Sequence, residues 1–330
     1  MEKRKLGNSE VYINPVAFGA WAIGGWMWGG AERKDALEAI QTSIELGMTT
    51  IDTAPVYGFG LSEEIVGEAI RGKRDKVEIL TKYGLSWNGK NGSFFFPSQD
   101  NSGNPVDIYR YSSRASVIRE CEDSLKRLGT DYIDLYQIHW PDPSTPVEET
   151  MEAINLLLEQ GKIRAAGVSN YEADLLAEAL KYAPVVSDQV PYSMVKRDIE
   201  KDLVPLCLGE RVSILAYSPM QRGLLTGKFS PDHSFNEGDT RPSTPYFSPE
   251  NIRRTNSFLE QLKDLASSLN LSIAQLVLRW TIEQPGITCA LAGARDAAQV
   301  KDNIGAMNAK LNAADIEYIN SKLDQLKLEL

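Results

Sequence analysis

The sequence predicts an α/β fold: a closed (β/α)8 TIM barrel with an N-terminal β-hairpin and extra helices. Short β-type runs alternate with longer helical patterns along all 330 residues, an order that gives a parallel sheet covered by helices. There are eight such strand–helix units, which favours a closed barrel over an open sheet. Because no linker or shift in composition interrupts this order, we expect a single domain, residues 1–330.

Each element follows from its local pattern. Residues 3–6 and 11–13 predict a small hairpin that caps the barrel floor. Short runs rich in β-branched and aliphatic residues predict the strands at 16–19, 49–52, 77–82, 132–139, 163–169, 185–190, 212–217 and 288–292. Amphipathic periodicity predicts the helices at 34–46, 62–71, 113–128, 147–160, 173–182, 200–209, 249–268, 272–283, 297–304 and 313–326.

Two connections, 84–112 and 218–248, are too long for ordinary barrel loops, and long loops in compact domains are usually functional. Both leave the C-terminal ends of strands, where barrel enzymes keep their active sites. The first is rich in Gly, Asn, Ser and aromatic residues. It is either a self-packed surface flap or a lid that contacts substrate.

Composition narrows the class of protein. Hydrophobic residues at 42% and charged residues at 24% exclude a disordered, collagen-like or coiled-coil chain. The net charge of −10 argues against nucleic-acid and anionic-membrane partners. Cys121, Cys207 and Cys289 are far apart and form no CxxC, and only two histidines occur, so we expect no metal and a reducing cytoplasm. The apolar segment 16–30 is too glycine-rich for a signal peptide and shorter than the ~20 residues of a membrane span.

Two segments resemble phosphate-binding motifs but depart from them at essential positions. Residues 58–63 begin like a dinucleotide fingerprint, but Glu63 stands where the third glycine must allow close helix–strand packing. Residues 223–228 resemble a phosphate loop, but Arg222 and Phe229 break that pattern at both ends. We therefore exclude a Rossmann site.

Four polar residues lie at or just after the ends of successive predicted strands: Asp52, Tyr57, Lys82 and His139. In a closed barrel these strand ends converge on one mouth. A lysine ammonium beside Tyr57 would lower the pKa of the phenol, Asp52 would hold the ammonium, and His139 would donate to a carbonyl oxygen. Together these groups can polarise a C=O and deliver a proton while hydride arrives at carbon. The alternative for Lys82 and Asp52 is a purely structural ion pair.

The chain resembles the aldo-keto reductases over essentially its whole length. The motifs that carry the resemblance are GMTTIDTAPVYG (47–58) followed by SEE (62–64), SLKRL (124–128) with DYIDLY (131–136), and GKIR (161–164) with GVSNY (167–171). It is similar to the bacterial general-stress-type branch and, more distantly, to potassium-channel beta subunits. The resemblance implies an NADP-dependent enzyme that reduces aldehydes and ketones to alcohols, with Tyr57 as general acid and Lys82, Asp52 and His139 as its partners. The alternative is a cofactor-binding, redox-sensing regulatory subunit with little turnover.

The resemblance also implies a cofactor site. Its residues would be Gly19, Ala20, Asp52, Ser169, Asn170, Gln189, Tyr217, Ser218, Pro219, Met220, Gln221, Gly223, Leu225, Lys228, Gly293, Arg295, Gln299, Asp302 and Asn303. Tryptophans expected at the mouth suggest an apolar substrate pocket formed by Trp21, Trp26, Trp28, Trp87 and Trp140. We expect a small-molecule carbonyl substrate, no nucleic-acid or membrane partner, and a monomer or weak homo-oligomer.

The choice between NADP and NAD depends on the segment after the last strand. The helix that begins there would offer free N–H groups to a phosphate. Arg295 can grip a 2′-phosphate with two hydrogen bonds, which favours NADPH over NADH. Asp296 beside it would weaken that preference.

Overall fold

A computed structural model describes residues 1–25, 32–235 and 239–330 of the chain. Two short antiparallel strands, β1 (Arg4–Lys5) and β2 (Tyr12–Ile13), precede the barrel. The eight barrel strands are β3 (Val16–Gly19), β4 (Thr50–Asp52), β5 (Glu78–Tyr83), β9 (Leu135–Ile138), β10 (Ala166–Ser169), β11 (Val185–Pro191), β12 (Ser213–Tyr217) and β13 (Ile287–Gly293). They are all parallel, each pairs with the next along the chain, and β13 pairs with β3 to close the barrel. The predicted (β/α)8 fold is confirmed.

The helices surround this barrel. They are α1 (Arg33–Glu45), α2 (Leu61–Ala69), α3 (Arg114–Leu128), α4 (Val147–Glu159), α5 (Ala173–Ala179), α6 (Leu203–Glu210), α7 (Pro249–Glu260), α8 (Lys263–Ser268), α9 (Ile273–Glu283), α10 (Ala297–Gly305) and α11 (Ala313–Leu323). The prediction of a single helix over 249–268 is wrong, because α7 ends at Glu260 and α8 begins at Lys263. None of the helices in the described ranges combines the length and apolar content that a bilayer crossing requires.

The fourth barrel strand is shorter than the predicted 132–139. Ile133 contributes only an isolated bridge to Ile163. Next to it, the buried Asp134 carboxylate accepts the backbone N–H of Ile79 at 2.9 Å and an ion pair from Arg74 at 2.6 Å. The regular ladder therefore begins at Leu135.

The N-terminal hairpin closes the floor of the barrel, as predicted. Leu6 and Ile13 are fully buried and pack in one cluster with barrel residues that include Leu80 and Leu215. The Gly7 N–H donates to the Ser213 hydroxyl at 2.9 Å, at the start of β12. The opposite, C-terminal end of the barrel is left as the mouth.

The long connection after β5 is not an irregular loop. It folds into three antiparallel strands, β6 (Leu85–Ser86), β7 (Ser93–Gln99) and β8 (Pro105–Arg110), in the order β6-β8-β7. We call residues 85–110 the flap sheet. Its tip is attached to the barrel mouth, because the Asn101 amide donates to the Gly58 carbonyl at 2.6 Å. In its described residues, 218–235 and 239–248, the second long connection forms short 3₁₀ turns at Gln221–Thr226, Arg241–Ser243 and Pro245–Phe247.

Glu120 on α3 supports the base of the flap sheet. Its carboxylate accepts the Gly84 N–H at 2.9 Å and the Ser116 hydroxyl at 2.9 Å. Burial raises the pKa of Glu120 from 4.5 to about 7. The folded protein therefore keeps this proton up to about pH 7, while the unfolded chain releases it near pH 4.5. The free energy of unfolding falls as pH rises between these two values.

We expect Glu120→Gln to remove this fall in the free energy of unfolding with pH, because the amide oxygen still accepts the Gly84 N–H but carries no charge. The variant should match the wild type at pH 4 and exceed its free energy of unfolding at pH 8 by about 3 kcal/mol. Urea unfolding of both proteins at the two pH values measures the difference. An equal pH dependence in both proteins would mean that Glu120 does not hold a proton in the folded state.

Candidate active site

The barrel mouth holds a cavity of about 640 Å³. Asp52, Tyr57 and His139 line it near the ends of β4 and β9, and Ser169, Asn170 and Gln189 line it at the ends of the strands that follow. The cationic side chains among the described lining residues come from the second long connection and from the segment before α10: Arg222, Lys228, Arg241 and Arg295. The cavity thus has a basic side beyond the strand ends.

Lys82 lies at the centre of the site. Its side chain is fully buried, and its ammonium donates to Asp52 Oδ1 at 2.7 Å, to the Thr53 carbonyl at 3.0 Å and to the Tyr57 hydroxyl at 3.3 Å. Gln189 Nε2 donates to the other Asp52 oxygen at 2.9 Å. The three predicted residues form one connected chain, in which Asp52 fixes Lys82 and Lys82 touches the phenol of Tyr57.

The direction of the Tyr57 pKa differs from the prediction. Burial raises the pKa of Tyr57 above its ordinary value, and the Asp52 charge raises it further. Burial also lowers the pKa of Lys82, while Asp52 opposes that shift. The lowered phenol pKa predicted from the sequence is wrong, because the loss of water on burial and, after it, the Asp52 charge both raise the pKa of Tyr57. Tyr57 is therefore a protonated phenol at neutral pH.

His139 completes the group of four. Its ring lies edge-on to the Tyr57 ring, with centroids 5.6 Å apart. Burial and the nearby Lys82 charge lower the pKa of His139 well below 6.5. The imidazole is therefore neutral at pH 7 and can donate one N–H into the cavity.

The backbone around Tyr57 packs closely against the 22–24 turn, and the contact is made at two glycines, Gly24 and Gly58. Gly58 has φ +68°, and a Cβ placed on it would lie 2.0 Å from the Gly24 carbonyl oxygen. A Cβ on Gly24 would in turn lie 2.6 Å from the Tyr57 carbonyl oxygen. Only glycine fits at these positions, so the 22–24 turn fixes the loop that carries Tyr57.

Most residues predicted for the cofactor lie at the cavity, and three do not. The lining ones are Gly19, Asp52, Ser169, Asn170, Gln189, Tyr217, Ser218, Pro219, Met220, Gly223, Lys228, Gly293, Arg295, Gln299, Asp302 and Asn303. Ala20 and Leu225 are instead fully buried in the core. Gln221 accepts the Ser193 hydroxyl at 3.1 Å. These three are excluded from the cavity wall, because their side chains pack or bond behind it.

Tyr217 presents an aromatic ring to the cavity at the end of β12. Its hydroxyl donates to Asn170 Oδ1 at 2.9 Å, and the Asn170 amide donates to the His139 carbonyl at 3.0 Å. These two bonds fix the Tyr217 ring against the strand ends. A flat, rigid aromatic surface results.

The backbone after Tyr217 is strained. Ser218, Gln221 and Arg222 all have positive φ, at 53°, 46° and 54°. Each such non-glycine residue costs on the order of 1–3 kcal/mol, and strain of this kind concentrates at ligand-binding sites. The segment is thus folded to present its groups to the cavity at a cost in stability.

The start of α10 differs from the prediction in one respect. The Asp296 carboxylate accepts the Gln299 N–H at 2.8 Å and so caps this helix. That N–H is not open to a phosphate, and the predicted set of free helix N–H groups is to that extent wrong. Asp is a favourable N-cap residue, which explains its orientation. Arg295 still lines the cavity, whereas Lys301 does not.

The predicted substrate tryptophans divide into three groups. Trp21 and Trp140 line the cavity. Trp87 does not; it packs edge-on against Phe59 with centroids 5.3 Å apart. Trp26 and Trp28 lie outside the described residues.

Sequence reasoning missed several lining residues: Ala22, Leu85, Phe95, Phe96, Arg222, Thr226, Phe229, Arg241, Ala274 and Leu291. The aromatic run at 94–96 was visible as a signal. The position of Arg241, which pairs with Asp239 at 3.0 Å, was not.

Glu63 explains why the dinucleotide fingerprint at 58–63 fails. Its carboxylate is fully buried and accepts Arg127 Nε at 2.6 Å and the Thr81 hydroxyl at 2.6 Å. It joins α2 to α3 and β5 rather than facing a ligand. The residue is structural.

Comparison with known proteins gives a consistent result. The sequence model described as the aldo/keto reductase family matches residues 15–324. An NADH-specific methylglyoxal reductase of Escherichia coli (strain K12) is 36% identical over 99% of this chain and 100% of its own. A glycerol dehydrogenase structure from Gluconobacter oxydans is 35% identical, with a TM-score of 0.89 over 99% of this chain and 97% of that one. An aldo/keto reductase structure from Klebsiella pneumoniae in complex with NADP and acetate is 28% identical, with a TM-score of 0.71 over 97% and 95%.

Proposed function

The chain belongs to the aldo/keto reductase family, and from that premise we propose that it reduces aldehydes or ketones to alcohols with a nicotinamide cofactor, preferring NADPH. One observation carries the proposal. The ammonium of Lys82, itself bound to Asp52, contacts the hydroxyl of Tyr57 on the wall of the cavity, beside a neutral His139. This is a proton donor with a charged partner behind it and a second donor alongside.

The proposed mechanism follows from these contacts. The hydride that the carbonyl carbon gains would come from a reduced nicotinamide when one is bound. Tyr57 gives its phenolic proton to the carbonyl oxygen, and its raised pKa keeps that proton in place until the oxygen becomes basic. The positive charge of Lys82 stabilises the phenolate that remains, and Asp52, itself held by a hydrogen bond from Gln189, keeps Lys82 in position. The neutral His139 donates a hydrogen bond to the same oxygen and orients the carbonyl.

The cavity suits a dinucleotide. The fixed ring of Tyr217 offers a stacking surface for a flat heterocycle, the amide of Asn170 stands beside it, and Gln189 lines the same cavity. The cations Arg222, Lys228 and Arg241 can neutralise phosphates. The donor set therefore fits a phosphate-bearing nicotinamide cofactor without a Rossmann domain.

The proposed preference for NADPH over NADH depends on Arg295. Two similar proteins point in opposite directions, one an NADH-specific reductase and one solved in complex with NADP, so the residues of this chain must decide. Arg295 lines the cavity, and Asp296 is turned away to cap α10. From its place on the cavity wall, the Arg295 guanidinium can read a 2′-phosphate.

Arg295→Ala should weaken NADPH binding roughly 10–150-fold, because one charge-assisted contact is worth about 1.5–3 kcal/mol. NADH affinity should stay within a small factor, and added salt should reproduce part of the loss. Isothermal titration of both cofactors measures the effect, with Lys301→Ala as control because Lys301 is exposed and off the cavity. Equal losses for NADH and NADPH would assign Arg295 to support of the loop and remove the basis for the preference.

The proposed activity is tested by a screen for NADPH and NADH oxidation across aldehydes, ketones and sugars. We expect turnover of at least one carbonyl class. Tight cofactor binding without turnover of any of them would favour the regulatory-subunit alternative. We also propose a reducing, cytoplasmic location, which the three buried free thiols Cys121, Cys207 and Cys289 support.

A further inference from the structure

We propose that Phe95 of the flap sheet is the specificity-determining residue of the cavity and selects carbonyl compounds that carry a planar apolar substituent, such as an aryl aldehyde. The inference deepens the proposed reductase function and rests on it. It starts from an irregularity in the flap sheet.

The irregularity is a β-bulge in β7. Phe94 pairs with Tyr109 and Phe96 pairs with Ile108, so Phe95 is an extra residue with no partner of its own in the ladder. In a regular strand, successive side chains point to opposite faces. Here both Phe95 and Phe96 line the cavity, while Phe94 is 52% exposed. Bulges commonly re-aim side chains beside active sites.

The ring of Phe95 is held from several directions. Its centroid lies 4.9 Å from that of Phe96 and 5.2 Å from that of Trp140, and the Arg110 guanidinium lies 4.9 Å from it. Trp140 directly follows His139 in the chain. Phe95 is therefore a fixed surface next to the groups that would bind the carbonyl, not a mobile side chain.

The cavity is divided by chemistry. The cationic lining residues among those described lie between positions 222 and 295, on the side assigned to the cofactor. The side formed by the flap sheet and its neighbours is apolar: Trp21, Leu85, Phe95, Phe96 and Trp140. A substituent on the carbonyl carbon would face this apolar wall.

An aromatic wall favours one kind of substituent. A flat ring can stack on or meet the edges of fixed aromatic rings and bury most of its apolar surface, whereas a methyl group or a polyol chain cannot. The wall also keeps its place relative to the acid, because Asn101 ties the flap sheet to Gly58, the residue after Tyr57. Phe95 thus sets the shape and polarity of the substrate half of the cavity.

The test compares kcat/KM for benzaldehyde with kcat/KM for acetaldehyde. The wild type should prefer benzaldehyde, and Phe95→Ala should reduce that ratio by about 10- to 100-fold. Phe94→Ala is the matched control, since it removes the neighbouring ring that points to solvent, and it should leave the ratio unchanged. Phe95→Leu keeps apolar volume but loses the flat ring, so its ratio should lie between those of the wild type and Phe95→Ala. This variant also provides the test if Phe95→Ala folds poorly.

A second measurement separates this inference from the proposed function. Calorimetric titration with benzyl alcohol, in the presence of oxidised cofactor, should show binding to the wild type and weaker binding to Phe95→Ala. A wild type that reduces no carbonyl would refute the proposed function. Weaker benzyl alcohol binding by Phe95→Ala would even then support Phe95 as the surface that binds the substituent. Equal ratios and equal binding in wild type, Phe95→Ala and Phe94→Ala would overturn the assignment of Phe95.

Discussion

Replacing Tyr57 with Phe should lower kcat for carbonyl reduction by about 10²–10⁴, the usual contribution of a positioned general acid. The ring keeps its stacking with Trp21, whose centroid lies 6.0 Å away, so the cavity wall stays intact. What is lost is the hydroxyl that Lys82 contacts at 3.3 Å. Steady-state kinetics gives kcat, and the dissociation constant for NADPH should barely change because the phenol serves the substrate.

Tyr83→Phe is the matched control for this experiment. Tyr83 is also buried, follows Lys82 in the chain, and its hydroxyl has no hydrogen-bond partner within the described residues. Removing that hydroxyl should leave kcat at the wild-type value. A Tyr57→Phe protein with near-full reductase activity would refute Tyr57 as the acid.

Lys82→Met should abolish reduction and also destabilise the protein. Without the ammonium, nothing stabilises a phenolate at Tyr57, and the buried Asp52 loses its 2.7 Å ion pair. Breaking one half of a buried ion pair costs about 3–5 kcal/mol. Activity assays and urea unfolding of the same preparation measure the two effects.

Arg127→Met separates the catalytic loss from the loss of stability. Arg127 also pairs with a fully buried carboxylate, that of Glu63, at 2.6 Å, but lies away from the cavity. This variant should be less stable than the wild type and yet keep its kcat. Normal turnover by Lys82→Met would leave Lys82 and Asp52 with the purely structural role that the sequence also allows.

The barrel and the central group of residues could be predicted because their signals are local. Asp52, Lys82 and His139 lie at or just after the ends of β4, β5 and β9, and parallel strands in a closed barrel bring their C-terminal ends together. The cap at Asp296 also had a local signal, an Asp three residues before Gln299. Alternation of strands and helices therefore sufficed for the positions of Asp52, Lys82 and His139.

The rest depends on long-range packing that the sequence does not display. The bulge at Phe95 exists only once β7 pairs with β8. The positive φ angles of Ser218 and Arg222 run against residue preference and are imposed by the surrounding structure. The pKa of Tyr57 depends on how deeply the site is buried, and that burial raises it. For these features the strand pattern predicts which segments lie at the barrel mouth, but not their backbone geometry or their burial.

The most direct test of the central claim is isotope transfer. The wild-type protein is incubated with benzaldehyde, or with the best carbonyl from the screen, and NADPH that carries deuterium at both C4 positions. The account predicts an alcohol with one deuterium on the carbinol carbon, and a greatly reduced yield of it from Tyr57→Phe. An alcohol without deuterium, or cofactor binding with no alcohol from any carbonyl, would contradict reduction at this barrel mouth.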